Sequence, residues 1–339
     1  MQAMPRAASR VLAGAASIYC VTISLLALLW AIGLRGTWWL DLAKIFALYL
    51  FAPLPLLLLA ALMARGWRRR SLVAGPVVAF LAIFGARFIP PLSEAPPGVP
   101  LRIMTFNMHY ALAEPDLAGL IEFVRAQDAD IVAFQELSFP AADALRRQLG
   151  SQYPYQELSP AEAYTGVGVI SRYPLRALAY RKLVPGKLLE LDVGGAPITL
   201  VNASLTAPDI QTRSLPLARS VRLIKAYDTV DRAYEIATLL DIAEDMPGPM
   251  VLVGDFNMAD HEPDYGQLAD HFDDAFRETN AGFGFTFPDK TPVLPSPLPL
   301  VRIDYVWSRA GVRPASARVV CGSGVSDHCA LVAELRVGT

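Results

Sequence analysis

Two textures divide the chain near residue 100. Upstream lie three long apolar runs, Val11–Leu34, Ile45–Ala64 and Ser71–Ala86, and none contains a charged residue. A helix needs about 20 apolar residues to cross a hydrocarbon core of about 30 Å, and each run is close to that length. Pro53 and Pro55 interrupt the second run, which a membrane helix tolerates where neighbours satisfy the freed carbonyls. Trp30, Trp38, Trp39 and Trp67 stand near the run ends, where indoles favour the membrane interface. The pattern predicts three transmembrane helices, with a lipid bilayer contacted through residues 11–89. A cleaved signal peptide would account for the first run and leave the other two unexplained. A transport channel has no support, because the runs lack the internal acid or base that marks an ion path.

From Leu101 onward the apolar runs shorten. Leu101–Asn107, Ile131–Glu136, Gly166–Ser171, Leu188–Val193, Ile198–Ala203, Met250–Asp255, Ile303–Trp307 and Leu331–Leu335 read as strands. Asp116–Gln127 and Asp228–Glu244 carry helical spacing. Many strands with interspersed helices predict a layered α/β sandwich rather than a regular doubly wound sheet. Pro90–Pro100, with five prolines and a glycine, reads as a semi-extended linker. The expected organisation is an anchor over 1–89, a linker over 90–100 and one folded domain over 101–339.

Charge divides at the same place. Residues 1–100 hold nine Lys/Arg against two acids, whereas 101–339 hold 21 basic and 30 acidic residues. A dedicated polynucleotide binder usually shows the opposite sign, because phosphate neutralisation supplies most of its affinity. Arg6 and Arg10 precede the first run, and Arg65, Arg68, Arg69 and Arg70 fall between the second and third. The positive-inside rule places those segments in the cytoplasm, and three crossings then leave the downstream domain extracytoplasmic. The protein is thus expected to be a multi-pass integral membrane protein. Cys20 lies in an apolar run, while Cys321 and Cys329 flank a loop. Two buried strand cysteines are the plainer expectation for the latter pair; a bridge requires an oxidising compartment.

Candidate chemistry sits at the strand ends. Asn107 closes Arg-Ile-Met-Thr-Phe-Asn, Glu136 closes Ile-Val-Ala-Phe-Gln-Glu, and Asp255 and Asn257 close Met-Val-Leu-Val-Gly-Asp-Phe-Asn. Asp304 interrupts Arg-Ile-Asp-Tyr-Val-Trp, and Asp327-His328 precede the last strand. One carboxylate at a strand end is usually a turn-former or cap. Several at successive strand ends, in a chain with four histidines, point to a site. The ordered set Thr-Phe-Asn, Gln-Glu, Gly-Asp-Phe-Asn, Arg-Ile-Asp-Tyr and Ser-Asp-His resembles the endonuclease/exonuclease/phosphatase superfamily, whose members include pancreatic deoxyribonuclease and neutral sphingomyelinases. The three-helix anchor lies outside the resemblance.

The resemblance implies a DNase I-like two-sheet α/β sandwich and divalent-metal-dependent phosphoester hydrolysis. Asn107, Glu136 and Asp327 would then hold Mg²⁺ or Mn²⁺ through hard oxygen ligands. Asp304 would orient His328 and favour its charged form, Asp255 would orient or deprotonate the attacking water, and Asn257 would donate to the transition state. Asp255 and His328 remain alternative general bases. Many members carry a histidine in Asn-Thr-His-Leu, whereas this chain reads Asn202-Ala203-Ser204-Leu205. Ser204 donates a neutral hydrogen bond and supplies no charge. His109 is expected to be a loop residue at the site rim, and His261 and His271 solvated. Tyr164-Thr165-Gly166 and Gly284-Phe285-Thr286-Phe287 are expected as loops beside the substrate or as ordinary turns. The substrate expected is a lipid headgroup, a small phosphodiester or a nucleic acid. Nuclease action, and an inactive membrane-tethered binding protein, are the rival readings.

Overall fold

The structure is a computed structural model and describes residues 6–34, 37–63, 67–91, 96–110, 117–215, 218–289 and 298–338. The linker centre, Arg35, Arg65 and Asp116 lie outside the described residues. The chain divides into two compact units, one comprising Met1–Ile89 with Ile210–Asp228, the other Pro90–Asp209 with Thr229–Thr339.

In the first unit the apolar runs form α1 (Arg6–Ala31), α2 (Trp38–Ile45), α3 (Ala47–Leu50), α4 (Leu54–Met63) and α5 (Trp67–Phe84), closed by a 3-10 turn at Gly85–Phe88. Helix α5 packs on both α1 and α4. A Cβ on Gly75 would lie 2.4 Å from Ser24 Oγ, so glycine is what lets α5 approach α1 this closely. Arg10–Ala31 and Arg70–Phe88 are each long and apolar enough to cross a membrane. The second run differs from the expected single helix. Helix α2 meets Ala47–Met63 at 85°, because Phe46 leaves helical geometry (φ −97°, ψ 15°). Pro53 then falls in the turn between α3 and α4, where a missing N–H costs least. The unit therefore offers two candidate spans, or three if the bent segment counts as one.

The second unit begins with β1 (Val99–Asn107), α6 (Leu117–Gln127), β2 (Ile131–Gln135), α7 (Phe139–Leu149), β3 (Tyr155–Ser159), β4 (Val167–Ser171), β5 (Leu175–Ala177), β6 (Gly186–Val193) and β7 (Ala196–Ser204). A hairpin of β8 (Asp209–Leu215) and β9 (Ala218–Asp228) follows, and all but its first residue clusters with the helical unit. The remainder is α8 (Val230–Asp245), β10 (Met250–Asp255), α9 (Pro263–Ala269), β11 (Asp273–Asp274), α10 (Ala275–Thr279), β12 (Asp304–Arg309), β13 (Val312–Val320) and β14 (Ala330–Val337).

Two six-stranded sheets result, ordered β13-β14-β1-β2-β4-β3 and β11-β12-β10-β7-β6-β5. This is the two-sheet α/β sandwich that the motif order implied. Leu101, Ile103, Ile131 and Ala133 meet Leu200, Val251, Val253 and Val306 between the sheets. Met104, Phe106 and Phe134 face the other way, against Leu120, Val124 and Leu145 of α6 and α7. Leu252, Tyr305 and Trp307 likewise pack with Ile236 and Leu239 of α8. Strands buried on both faces lose polar alternation, which is why they read as continuous apolar runs.

A polar seam crosses this core. Thr105 Oγ1 donates to Gln135 Oε1 (3.1 Å), Gln135 Nε2 donates to Asn202 Oδ1 (2.7 Å), and Asn202 Nδ2 donates to the carbonyls of Phe134 and Gly168 (both 2.9 Å). All three side chains are fully buried, so the seam fixes the offset between the sheets through bonds that are costly to break. Cys321 and Cys329 form a disulfide, correcting the expectation of two buried strand cysteines. Cys321 is exposed, outside the hydrophobic core.

Candidate active site

The candidate residues lie at one end of both sheets because strand direction and register put them there. Strands β1 and β2 run parallel, pairing Asn107 with Gln135, so Glu136 lies one residue beyond Asn107's neighbour. Strands β7 and β10 run parallel and pair Ser204 with Asp255; antiparallel β12 sets Asp304 opposite Asp255. Gly254 makes this register possible: its φ is +146°, and a Cβ there would lie 1.9 Å from the Ala203 carbonyl oxygen.

Asn107 joins the two sheets at the site. Its Nδ2 donates to Glu136 Oε1 (3.2 Å) and to Asp255 Oδ2 (2.9 Å), and its Oδ1 accepts from the His109 N–H (2.9 Å). Asp255 Oδ1 accepts the Asn257 N–H (2.9 Å), and Asn257 Nδ2 donates to the Leu205 carbonyl (2.8 Å) and more distantly to Asp255 Oδ2 (3.3 Å). Glu136 Oε2 accepts the Tyr110 N–H (3.1 Å). Of the five non-glycine residues with positive φ among those described, three are His109, Glu136 and Asn257. Each such conformation costs roughly 1–2 kcal/mol, and such strain concentrates at functional sites.

Asp304 and His328 form a buried pair, with Nδ1 3.0 Å from Oδ2. On its other side, His328 Nε2 lies 4.0 Å from Asp255 Oδ2. Burial works against the imidazolium, but the Asp304 charge and hydrogen bond, with Asp255 and Asp327 beyond, hold its pKa up to about 10. Burial pushes Asp255 up to about 7, and Asp304 across the ladder adds to the rise; His328, the Asn257 N–H and Asn107 oppose it. A cationic imidazole is thus wedged between two carboxylates that would otherwise repel.

Asp327 precedes His328 in the chain and adds to its preference for the charged form. Its Oδ1 is 2.8 Å from His109 Nδ1, yet no hydrogen bond forms at that oxygen, which is buried. This short contact lacks hydrogen-bond alignment. His109 therefore reaches the site and is half-exposed. The structure thus brings together Asn107, Glu136, Asp255, Asn257, Asp304 and His328, with Asp327 and His109 adjoining. Ser204 lies beside Asp255 in the sheet. His271 stays exposed. His261 differs from expectation: its side chain is mostly buried, with Nδ1 3.1 Å from Asp260.

Among the supporting residues Arg232 carried no sequence signal, whereas Thr286, Phe287 and Ser326 stand in stretches the sequence marks without these roles. Thr286 Oγ1 accepts the N–H groups of Ile303 (3.1 Å) and Asp304 (3.3 Å), and Phe287 packs its ring 4.8 Å from that of His328. The Gly284–Phe287 stretch is thus a buttress of the Asp–His pair. Buried Arg232 reaches from α8 to Glu262, Asp264 and the Asn257 carbonyl. Ser326 Oγ donates to the Asn107 carbonyl (2.6 Å) and accepts the His328 N–H (2.9 Å). The disulfide closes the loop that carries Ser326, Asp327 and His328. Tyr110 and Tyr164 stand 6.4 Å apart, both exposed.

The donor set suits a hard divalent cation. Glu136 and Asp327 offer carboxylate oxygens, and Asp327 Oδ1 is a buried oxygen without a hydrogen bond. Asn107 would coordinate through Oδ1, so its amide must turn from the orientation in which Nδ2 faces Glu136 and Asp255. Ligand atoms of Asp255, Asp304 and His328 also lie within 4.8 Å of one another. In that trio Asp304 and His328 are already hydrogen-bonded to each other, which occupies donor atoms a cation would need.

A two-sheet α/β sandwich with Asn, Glu, Asp and an Asp–His pair at one sheet end places the chain in the class of α/β-sandwich proteins with an acid-rich site at the strand ends. The profile of the Endonuclease/Exonuclease/phosphatase family matches residues 104–328, and the chain belongs to that family. Its members are phosphoester hydrolases and generally use a divalent metal. Similar solved structures include an endonuclease/exonuclease/phosphatase from Bacteroides vulgatus (17% identity, 70% of this chain and 99% of that one, TM-score 0.53). One from Beutenbergia cavernae matches at 22% identity over 70% and 72% of the two chains, with a TM-score of 0.52. D. rerio TDP2 complexed with single-strand DNA product matches at 15% over 70% and 99%, with a TM-score of 0.54. At these identities the likeness speaks for the fold. No curated protein matches the sequence.

Proposed function

We propose that the protein is a divalent-metal-dependent phosphoester hydrolase held at the extracytoplasmic face of a membrane. The observation carrying the chemistry is the Asn107 amide that joins Glu136 to Asp255, beside the buried Asp304–His328 pair. Asn107, Glu136 and Asp327 would hold Mg²⁺ or Mn²⁺, which when bound supplies positive charge to a phosphate oxygen and a leaving alkoxide. Asp255, nearly fully buried, orients or deprotonates the attacking water. Asn257, fixed by Arg232 through its carbonyl, donates to the transition state. Asp304 keeps the His328 imidazole oriented and cationic, so it stabilises developing negative charge.

Membrane attachment is supported by the candidate spans. Three crossings are favoured over two by the packing of α2 on β9. Two crossings would put α2 and residues 210–228 on opposite sides, whereas three put them on the same side. The Cys321–Cys329 bridge agrees with an oxidising compartment. A reporter fused after Thr339 should therefore be active only outside the cytoplasm.

A lipid headgroup or small phosphodiester is the favoured substrate, because residues 101–339 carry an acidic excess that repels a polyanion. The similarity to a DNA-product complex of D. rerio TDP2 favours nuclease action as the second reading. Purified full-length protein, stripped with EDTA and reloaded with Mg²⁺ or Mn²⁺, is assayed on bis-nitrophenyl phosphate, phospholipids, DNA and RNA. Turnover of the diester or a lipid that needs the metal is expected. A folded protein inactive on all four with either ion would leave the tethered-binding-protein reading in its place.

A further inference from the structure

The β8–β9 hairpin has a composition unlike the rest of the domain in which it is inserted. Between its terminal residues Asp209 and Asp228, the eighteen residues 210–227 include Arg213, Arg219, Arg222 and Lys225 and no acid, in a domain whose charge balance is otherwise acidic. A two-stranded hairpin is marginal in water unless something covers it. Here Leu223 and Ile224 are each 40% exposed and Ile210 48%. Successive strand residues point to opposite faces, so apolar side chains emerge on both sides of β9. Arg213, Arg222 and Lys225 are exposed among them. The hairpin clusters with the unit that contains the candidate spans, and β9 packs on α2. Helix α2 brings Trp39, 47% exposed, a residue type that prefers the membrane interface.

We propose that this hairpin is a second membrane contact, seated in the headgroup–acyl boundary of an anionic bilayer. The inference rests on the membrane reading above and adds a surface to it. Apolar residues on both faces enter the boundary, and exposed Arg213, Arg222 and Lys225 pair with lipid phosphates. Each basic residue near an anionic surface adds about fivefold to binding. The chain leaves the helical unit at Ile89, returns at Ile210 and leaves again at Asp228. The unit bearing the candidate active site is therefore joined covalently to the membrane-side unit at three points.

The test uses full-length protein with Cys20→Ser, leaving the disulfide intact, reconstituted in phosphatidylglycerol/phosphatidylcholine vesicles. A fluorophore is placed on Leu223→Cys, and separately on Leu25→Cys in α1 and on Leu183→Cys, whose parent residue is 93% exposed. The 223 probe should be quenched by doxyl-labelled lipid and be less accessible to aqueous iodide than the 183 probe. Exchanging all four basic residues for Gln, or using phosphatidylcholine alone, should weaken the lipid quenching. If 223 is as iodide-accessible as 183 while 25 is quenched by lipid, the hairpin inference fails and the membrane reading stands. If 25 is also aqueous, both fail. Lipid quenching at 223 that ignores charge would overturn the electrostatic part.

Discussion

Asp304→Asn removes a carboxylate and keeps its shape, isolating what the charge does for His328. The rise of His328 from 6.5 to about 10 corresponds to about 5 kcal/mol of preference for the imidazolium. Asp304 is the largest contributor to that rise, through charge and a 3.0 Å hydrogen bond, while burial pulls the other way. A hydrogen bond to a charged group is worth about 1.5–3 kcal/mol net, so its loss alone lowers the midpoint by about one to two pH units. The lost Coulomb attraction lowers it further. The assay is histidine-selective NMR on metal-free full-length protein, with His328 assigned by His328→Gln among only four histidines.

Stability gives an independent readout. A histidine whose folded pKa is raised contributes stability that is fully present below its unfolded value of about 6.5, and loses it as pH climbs through the folded value. The stability gap between wild type and Asp304→Asn should therefore be full at about pH 6.5 and below and close toward pH 10. Turnover near neutral pH should fall by about 10²–10⁴-fold. If His328 in the variant titrates where it does in the wild type, Asp304 is not what holds its charge, and the reasoning about this pair is refuted.

Glu136→Gln should abolish Mg²⁺-dependent turnover while the far-ultraviolet circular dichroism is unchanged, since Glu136 faces Asn107 from a strained loop residue; near-normal activity at moderate Mg²⁺ removes it from the metal site. Ser204→His should raise hydrolysis of bis-nitrophenyl phosphate, or at least not lower it, and add a titration near pH ~6.5, because Ser204 adjoins Asp255; a folded variant inactive at every pH assigns Ser204 its own role. Asn202→Ala strips the inter-sheet seam of its centre and leaves Gln135 Nε2 without its acceptor. Each buried group left unsatisfied costs about 1–3 kcal/mol, and a melting temperature that does not move would show that the seam does not hold the sheets.

The sequence by itself determined a great deal where the physics is local. Strands such as Met250–Asp255 are buried on both faces, so they appear as apolar runs and their ends can be read directly. The glycine of Gly-Asp-Phe-Asn is demanded by a backbone approach that no side chain allows. Edge and amphipathic elements were less legible. Helix α7 carries Arg146 and Arg147 in its last turn, and β13 contains Pro314 with a bulge beside it; neither makes an apolar run. The hairpin of β8 and β9 escaped for the same reason, because its apolar and basic residues do not alternate as a half-buried strand would. Tertiary structure alone decided which polar groups meet. Asn107 reaches Asp255 across 148 positions of chain, and Thr286, Arg232 and Ser326 support site residues from distant loops and a helix. Such contacts leave no periodicity, since each depends on where two sheets come to rest. That offset is set by side chains such as Gln135 and Asn202, which are 67 residues apart and become partners only when the sandwich closes.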